Sequence, residues 1–307
     1  MDKIIQPISL KLIEQELNSN RFIRTTNNAN NEIYIVNYHN SPNTTKEIGR
    51  LREITFRDSG GGTGKSMDLD VFDTRDEGFY EQLIVWAPET KEIIGGYRFI
   101  KCKNIINSKY DDLATTKLFD FSDNFINKHL IKTIELGRSF VQPNFQPSQG
   151  SRKGIFSLDN LWDGLGAIVV DEPEIKYFFG KITMYLDFNQ TARDLILTFM
   201  NYFFPNKDKL ITAKSPLKHH HNTEYFVKEI KELTYQEAYK TLQQKVRELN
   251  EHVPPLVGAY MNLSSTMKTF GTSLNTSFGE VEETGILITI DDIFDSKKDR
   301  HINTYIK

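Results

Sequence analysis

The sequence predicts one mixed α/β domain with a C-terminal extension packed on it. The chain has 307 residues, which is long enough to bury one large core without disulfides or metal. Segments with helical spacing of apolar residues alternate along the chain with segments that have strand spacing. We find neither an internal repeat nor a long linker, which disfavours a repeat architecture and separate domains.

The composition is that of an ordinary globular protein and excludes several classes. No apolar run approaches the roughly 20 residues that span a bilayer, and the first residues include acids and amides where a signal peptide is continuously apolar. We therefore expect a cytoplasmic protein, at most peripheral at the inner membrane surface. The single cysteine, Cys102, excludes an intramolecular disulfide and a Cys-rich zinc site. The balance of 38 basic and 41 acidic residues disfavours a general nucleic-acid binder.

The N-terminal third predicts strands, one helix and a hairpin. β-branched and aromatic residues at 33–38 indicate a strand. Residues 45–56 place apolar side chains among charges at helical spacing, which predicts an amphipathic helix ended by the glycines at 60–64. The apolar runs 82–86 and 93–102 are separated by Ala-Pro-Glu-Thr, which predicts an antiparallel hairpin.

The middle of the chain continues the alternation. Residues 113–129 predict a helix, and residues 133–141 predict a strand that Pro143 ends. Ser157 is placed to cap a helix with apolar positions on one face from 158 to 169. Residues 176–186 then predict another strand.

The last part of the chain predicts the extension. Residues 191–204 predict a helix ended by Pro205, and residues 206–223 are polar and rich in Lys and His, as in an insertion or a mobile surface loop. Thr234 begins a capping box with a helix behind it. Residues 256–263 and 285–290 predict two strands. We therefore divide the chain into a core at 1–205 and an extension at 206–307.

A glycine-rich loop, Ser59 to Ser66, nearly matches the phosphate-binding pattern G-x-x-x-x-G-K-[ST]. That pattern requires a buried strand before the loop and a helix after it, so that backbone N–H groups converge on phosphate. Here an amphipathic helix precedes the loop, and an acidic segment at 67–73 follows it. We therefore disfavour nucleotide hydrolysis and expect a flexible connection that lets the preceding helix fold over a cleft.

Charged residues lie in or beside the predicted strands, where burial is costly unless the charges pair or act on a substrate. If the acidic segment is extended, two of its acids share one face. A structural salt-bridge network and a functional site are both consistent with this pattern. The residues are Asp68, Asp70, Asp73, Arg98, Glu135 and Arg138.

The order of these residues resembles the acyl-homoserine-lactone synthases, a branch of the GNAT-type N-acyltransferase fold. A closer resemblance is to the related group often labelled hemolysin-like, which includes the N-acyltransferases that make ornithine lipids and glycine lipids. Together the matching segments cover most of the span 48–290. They are Arg52 with Phe56, Asp70-x-Phe72-Asp73, Gly96-x-Arg98, Glu135-Leu-Gly-Arg-Ser-Phe-Val-Gln-Pro143, Leu161-Trp-Asp-Gly-Leu165 and Val253-Pro-Pro-Leu-Val-Gly-Ala-Tyr260.

The resemblance implies a fold and a reaction. The fold is a central mixed, mostly antiparallel sheet flanked by helices, in which two parallel strands splay apart to admit a thioester donor. The reaction moves a long, 3-hydroxylated fatty acyl chain from acyl carrier protein to the α-amine of glycine or ornithine, as the first step of amino-acid lipid synthesis. We expect no permanently bound cofactor. The family of acetyl-CoA enzymes has a Q/R-x-x-G-x-G/A pattern after the first splayed strand, and this chain lacks it, which favours acyl carrier protein over acyl-CoA.

The resemblance also implies where the donor binds. The loop after residue 141 supplies Ser151, Arg152, Lys153 and Gly154 just before a helix N-terminus, where an anion is favoured. Backbone N–H groups around Phe140 and Val141 are candidate oxyanion donors. Basic residues form a candidate docking surface for an acidic carrier protein, although a solvated loop is the favoured interpretation of the lysines. They are Lys207, Lys209, Lys214 and Lys218, together with Arg152 and Lys153.

For catalysis we expect direct attack by the amine within a ternary complex, because the chain has no pattern for a covalent acyl-enzyme. Glu135 is the candidate general base, directly or through one water. Arg138, Arg98, Asp70 and Asp73 are expected to orient the acceptor. They are also expected to hold a flap that places Arg52 and Phe56, with Phe72, at the substrate.

The sequence leaves two other functions possible and does not decide the roles of several side chains. An acyl-homoserine-lactone synthase or a CoA-dependent acetyltransferase is one alternative, and a non-catalytic haemolysin-like membrane-active protein is the other. Three adjacent histidines, His219 to His221, do not share one face of a strand or helix, so we expect no metal. Trp162 and Tyr185 are either core residues or walls of an acyl pocket.

Overall fold

An eight-stranded sheet forms the centre of the computed structural model, which describes residues 1–105, 112–146 and 154–307. The strand order is β1-β2-β3-β4-β6-β7-β10-β9, and β5 pairs with β8 in a separate small sheet. Every neighbouring pair of strands is antiparallel except β6 with β7. The strands are β1 (Phe22–Thr25), β2 (Glu32–Val36), β3 (Glu81–Ala87), β4 (Glu92–Lys101), β5 (Phe119–Phe121), β6 (Thr133–Val141), β7 (Tyr177–Met184), β8 (Ile211–Ala213), β9 (Lys268–Asn275) and β10 (Val281–Thr289).

Helices cover both faces of this sheet. Side chains alternate along β3, so Leu83 packs with α5, whereas Ile84 packs with α2. The small β5–β8 sheet covers part of the α2 face through a second cluster around Phe179. The α-helices are α1 (Leu10–Glu16), α2 (Pro42–Asp58), α3 (Val71–Thr74), α4 (Asp123–Lys128), α5 (Ser157–Asp171), α6 (Gln190–Phe203), α7 (Glu224–Ile230), α8 (Tyr235–Glu248), α9 (Pro255–Met261) and α10 (Asp295–His301).

Strands β6 and β7 separate after a short parallel ladder. Their register runs only from Thr133 opposite Tyr177 to Glu135 opposite Phe179. Beyond that point β6 stays paired with β4, while β7 stays paired with β10 through Met184. A gap therefore opens in the middle of the sheet between the C-terminal parts of the two strands.

A bulge in β6 lies at the beginning of this gap. The β4–β6 register places Arg98 opposite Gly137 but Gly96 opposite Phe140, so β6 has one extra residue. Arg138 within the bulge has a φ of +49°, in the left-handed region that a non-glycine residue rarely adopts. Such strained conformations concentrate at functional sites, where the surrounding structure maintains them.

Several elements confirm the sequence predictions, including the α/β class with a mixed, mostly antiparallel sheet. The β3–β4 hairpin, helix α2, strand β6 and helix α6 lie where the apolar spacing predicts them. Thr234 and Glu237 form the predicted capping box at the start of α8. The loop after α2 does not resemble a phosphate loop, because Glu53 accepts the N–H groups of Thr63 and Gly64.

The helix predicted at 113–129 is wrong. The described part of this region contains a short 3₁₀ turn, Ala114–Lys117, followed by β5 and α4. Ser122 begins α4 by accepting the N–H of Phe125, and β5 pairs with β8. The apolar residues of β5 and α4 are needed for the β5–β8 pairing and for the core. Their spacing along the sequence resembled that of a single helix, which explains the wrong prediction.

Three further predictions need correction in the last half of the chain. Residues 256–263 form mainly helix α9 rather than a strand, because Pro255 at the first turn favours a helix start. Ser157 is the first residue of α5 rather than its cap, and its hydroxyl donates to the carbonyl of Phe145. The polar segment 206–223 includes strand β8. Strand β9 has no counterpart in the predictions.

The division at residue 205 stays a prediction. The structure places β10 between β7 and β9 in the main sheet, so the C-terminal part of the chain continues the sheet of the N-terminal part. Helix α9 belongs to the same apolar cluster as α5 and α6. The C-terminal strands and α9 therefore help to form the gap beside β6.

Candidate functional site

An inner cavity of about 210 Å³ occupies the gap between β6 and β7. Most of its walls are apolar or aromatic, and polar groups converge on it from β6, β7 and β10. A pocket of this kind, apolar with a few placed polar groups, is the usual form of a small-molecule site. Its lining includes Phe56, Tyr97, Leu136, Gly137, Arg138, Ser139, Lys181, Thr183, Tyr185, Leu256, Tyr260, Phe278 and Glu283.

An outer cavity of about 510 Å³ adjoins the inner one. It lies between the end of β6, the beginning of α5 and the beginning of α9, and its lining includes Phe140, Val141 and Gly154. Both cavities are lined by Phe56, Ser139, Tyr185, Pro255 and Leu256. Together they form one groove, here called the donor groove, that runs from the start of α5 into the gap.

A small polar cleft of about 40 Å³ lies on the other side of the gap. Arg138 and Lys181 line both this cleft and the inner cavity. They therefore form the junction between an apolar groove and a polar cleft. The cleft is lined by Asp70, Phe72, Arg98, Ala114, Lys117, Leu118, Arg138, Lys181, Asn275 and Ser277.

Buried ion pairs surround the junction. Arg52 is fully buried, and its guanidinium contacts Oδ2 of Asp68 and Oδ2 of Asp73, both at 3.2 Å. Gln82 completes the set by accepting from Arg52 and donating to Asp73. Burial alone would raise the pKa of Asp68, but the guanidinium groups of Arg138 and Arg52 outweigh it and hold that pKa below its ordinary value.

Arg98 connects this buried network to the cleft. Its Nη1 atom donates to Oδ1 of Asp70 at 2.8 Å and to Oδ2 of Asp73 at 3.1 Å. Asp70 also caps α3 by accepting the N–H of Phe72. Burial would raise the pKa of Asp73, but Arg52 and Arg98 together lower it. The predicted grouping of Arg98, Arg138, Asp70 and Asp73 is therefore present in the structure, with Asp68 and Arg52 as additional members. Arg52, which was expected at the substrate, is instead fully buried and lines neither the donor groove nor the cleft.

Arg138 is held at the junction by two contacts. Its Nε atom lies 2.8 Å from Oδ2 of Asp68, and its guanidinium carbon lies 4.0 Å from the centroid of the Phe278 ring. Such cation–π contacts are attractive when the ring face is presented to the cation. Arg138 lies in the β6 bulge with a positive φ, and its side chain lines both the inner cavity and the polar cleft.

Lys181 and Glu283 form an ion pair across β7 and β10 beside the junction. Glu283 is only 2% exposed, lines the inner cavity and also accepts from the side-chain amide of Asn275 at 2.9 Å. Burial lowers the pKa of Lys181, and the carboxylate of Glu283 offsets part of that effect. Neither residue was predicted from the sequence, because 102 positions separate them.

Glu135 lies outside the groove and the cleft. Its carboxylate is buried and accepts hydroxyl hydrogen bonds from Tyr80 at 2.7 Å and from Thr115 at 2.5 Å. Burial raises its pKa, and the two hydroxyl groups offset part of that effect. Both of its oxygens are therefore occupied, and it lines neither cavity nor the cleft, so its role as general base, directly or through one water, stays a prediction.

The remaining predicted residues have varied positions. Phe72 lines the cleft, and Tyr185 lines the donor groove. Trp162 packs on the ring of Tyr260 at 5.6 Å. Ser151, Arg152 and Lys153 lie outside the described residues. The predicted docking lysines in the described part of the chain are exposed and line neither cavity; they are Lys207, Lys209, Lys214 and Lys218.

The described residues contain neither a metal-binding cluster nor a membrane-spanning helix. No cluster of three or more His, Cys, Asp or Glu side chains there has an arrangement for a metal ion. His220 and His221 instead donate their backbone N–H groups to Asp194. Within the same residues, no helix is long and apolar enough to cross a membrane.

A family model and a solved structure are similar to this chain. Residues 51–153 match the family model described as an acetyltransferase (GNAT) domain. Together with the two relatives described below, this match shows that the chain is a GNAT-type N-acyltransferase. A solved structure of the CoA-dependent acyl-homoserine lactone synthase BjaI is similar over 88% of this chain and 89% of that one, at 13% identity and a TM-score of 0.38.

Two relatives are far more similar in sequence. A glycine N(alpha)-acyltransferase of Bacteroides thetaiotaomicron is 48% identical, across 100% of this chain and 91% of the relative. A glycine N(alpha)-acyltransferase of Phocaeicola vulgatus is also 48% identical, across 100% of this chain and 94% of the relative. This chain belongs to the glycine N(alpha)-acyltransferase family, which is one of the two groups that the sequence resemblance left open.

Proposed function

We propose that this chain transfers a long, 3-hydroxylated fatty acyl group from acyl carrier protein to the α-amine of glycine, as the first step of amino-acid lipid synthesis. The observation that carries the proposal is the junction at Arg138 and Lys181, where an apolar groove meets a small polar cleft. An acyl thioester suits the first environment, and a small amino acid suits the second. The names of the two relatives support glycine as the acceptor.

The donor enters along the groove with its pantetheine arm at the end of β6. The N–H of Gln142 donates to the carbonyl of Ile94 on β4. Because N–H groups alternate in direction along an antiparallel strand, the N–H of Val141 points away from β4 toward the gap. In that position it is a donor for the oxyanion that develops on the thioester carbonyl. The side chain of Phe140 and the backbone at Gly154 line the same groove.

Acyl carrier protein is favoured over CoA by the sequence after β6. The chain lacks the Q/R-x-x-G-x-G/A pattern there, and a carrier protein presents only the phosphate of its pantetheine arm. That phosphate would lie near Arg152 and Lys153, which precede the N-terminus of α5. The exposed lysines between 207 and 218 would then contact the acidic carrier surface.

In the reaction the neutral amine attacks the thioester carbonyl carbon. A carbon–nitrogen bond forms as the carbon–sulfur bond breaks, and one amine proton passes to the leaving sulfur. The products are N-acylglycine and the free thiol of the carrier. The ammonium form of glycine must first lose one further proton, which requires a base within hydrogen-bond reach.

Two carboxylates are candidates for this base. Glu283 lines the inner cavity, where its carboxylate accepts from Lys181, Asn275 and Thr183. Glu135 is the candidate from the sequence resemblance, and it would act through the hydroxyl of Tyr80 that it already binds. We assign the role to Glu283 because of its position, with Glu135 as the second candidate.

Glycine suits the cleft better than ornithine does. The second amine of ornithine needs a carboxylate partner, and Asp70 is the one carboxylate among the described residues of the cleft lining. Asp70 is already bonded to Arg98 and to the backbone of Phe72. A cleft of about 40 Å³ holds a few water-sized groups, which matches the few heavy atoms of glycine.

Mass spectrometry of lipids from cells that express this chain tests the proposal. We expect a new N-acylglycine with a 3-hydroxylated chain, and we expect it to be absent from cells that express the Glu283→Gln variant at the same level. An N-acylornithine would correct the acceptor. An acyl-homoserine lactone as the new product would contradict the proposal. An unchanged lipid profile, together with lysis of membranes by the purified protein without substrates, would also contradict it.

A further inference from the structure

We propose that the polar cleft binds the α-carboxylate of the acceptor and that Lys117, at the edge of the cleft, is a specificity-determining residue for that carboxylate. This inference rests on the proposed transfer to an amino acid and names the group that the enzyme recognises. Lys117 lies outside the motifs that carry the family resemblance.

The charges of the cleft favour an anion. Its lining contains four cationic side chains, Arg98, Lys117, Arg138 and Lys181, and one carboxylate, Asp70. Charges of one sign that line a cleft raise the local concentration of a ligand of opposite sign. An amino acid offers two charged groups, and its carboxylate is the one that this lining attracts.

Three of the four cations already have carboxylate partners. Arg98 pairs with Asp70 and Asp73, Arg138 contacts Asp68, and Lys181 pairs with Glu283. Their positive charges are therefore largely neutralised within the network.

Lys117 is the exception. It is exposed, and it forms no ion pair with any other residue in the described ranges. Its ammonium lies 5.4 Å from the centroid of the Phe72 ring, which forms one wall of the cleft. The network of ion pairs plus Lys117 has five cations, including Arg52, and four carboxylates, which leaves one positive charge for a ligand. Glu135 is not part of this count, because it forms no ion pair with the described residues and its two oxygens accept the hydroxyl groups of Tyr80 and Thr115.

The position of the cleft determines which amine reacts. Arg138 and Lys181 line the cleft on one side and the inner cavity on the other. In an α-amino acid the amine and the carboxylate share one carbon, so a carboxylate bound in the cleft places the α-amine at this junction. An amine farther along the chain would extend past the junction or require the carboxylate to leave the cleft. The same geometry therefore accounts for transfer to an α-amine.

Steady-state kinetics of the purified enzyme with saturating acyl carrier protein thioester test this inference. The variants are Lys117→Met, the conservative Lys117→Arg, and Lys128→Met as a matched control at an exposed lysine outside the cleft. The acceptors are glycine and glycinamide, which lacks the carboxylate charge. Because Lys117 has no ion pair in the described structure, we expect all three variants to fold.

We expect Lys117→Met to raise the KM for glycine by about tenfold, the loss typical of one charge-assisted contact. The KM for glycinamide and for the thioester should not change, and Lys117→Arg and Lys128→Met should resemble the wild type. An unchanged KM for glycine in Lys117→Met, or an equal rise for glycine and glycinamide, would overturn the inference. Failure of the wild type to acylate glycine would instead refute the proposed acceptor, and the same variants assayed with the amino acid that is acylated would still decide whether the cleft binds its carboxylate.

Discussion

The Nε atom of Arg138 lies 2.8 Å from Oδ2 of Asp68, which joins the strained residue of β6 to the acidic segment before α3. Asp68 also contacts Arg52 on α2. Helix α2, the acidic segment and the β6 bulge are thereby held in one arrangement around the junction. An active site requires this kind of support, because loosely held groups lose much of their effect.

The backbone of Arg138 gives a first prediction. At a φ of +49° an L-residue is strained and glycine is not. Both Arg138→Gly and Arg138→Ala lose the same ion pair, yet we expect the glycine variant to be more stable by about 1 kcal/mol. Urea denaturation measures the difference. The control is Leu274, a β9 residue without positive φ, where the alanine variant should be more stable than the glycine variant. If the alanine variant is the more stable one at both positions, the β6 bulge is not strained.

Asp68 gives a second prediction, about stability. Replacing it by Asn removes the shared partner of Arg52 and Arg138 and leaves buried positive charge uncompensated. We expect Asp68→Asn to lower the free energy of unfolding by roughly 3–5 kcal/mol. The matched control is Asp120→Asn, an exposed acid 3.6 Å from Lys214, where we expect less than about 1 kcal/mol. Similar losses at the two positions would show that the network does not stabilise the fold.

The assignment of the base gives a third prediction. We expect Glu283→Gln to lower kcat at neutral pH by roughly 10²–10⁴-fold, with a smaller effect from Glu135→Gln, because Glu283 lines the inner cavity and Glu135 does not. Single-turnover rates measure this directly, and unfolding curves check that both variants are folded. A large loss confined to Glu135→Gln would transfer the role to Glu135.

A fourth prediction concerns pH and stability at Glu135. Burial raises the pKa of this carboxyl in the folded protein above its unfolded value of about 4.3. Its contribution to stability is therefore fully present below the unfolded pKa and is lost as pH rises through the folded pKa. Relative to Glu135→Gln, the wild type should lose stability as pH rises above about 4, in urea denaturation at a series of pH values. A difference that is constant with pH would contradict the raised pKa.

The donor groove gives a fifth prediction. Leu256 on α9 lines both parts of the groove, so Leu256→Trp should obstruct a long chain more than a short one. We expect kcat/KM for a long-chain thioester to fall by about tenfold or more, with a much smaller change for a short-chain thioester. Leu186→Trp is the control, because Leu186 is 51% exposed and lies outside the groove. Equal losses for both chain lengths would remove α9 from acyl binding.

Local patterns predicted much of the fold. The turn between β3 and β4 and the capping box at Thr234 depend on neighbouring residues, and both are present. Helix α9 was mistaken for a strand, because its apolar run is short and its start depends on Pro255. Strand β9 contains a glycine and several polar residues, and it is defined by its pairing with β10 rather than by its own pattern.

The candidate site could be predicted only in part. Arg98 and Arg138 were singled out because charges in predicted strands are costly, and Arg52 because the order of motifs marks it. The structure joins the three through acids of one short segment. Glu283 was missed, because its pairing with Lys181 arises only when β10 adds to the sheet beside β7. Contacts of this kind depend on tertiary structure, and no local spacing indicates them.

One competition assay tests the central claim most directly. Purified enzyme is given a 3-hydroxyacyl thioester of acyl carrier protein with equal concentrations of glycine and ornithine, and products and released thiol are quantified by mass spectrometry. The account predicts N-acylglycine as the dominant product, with one free thiol released per amide formed. N-acylornithine as the main product, or no transfer from the acyl carrier protein thioester, would contradict it.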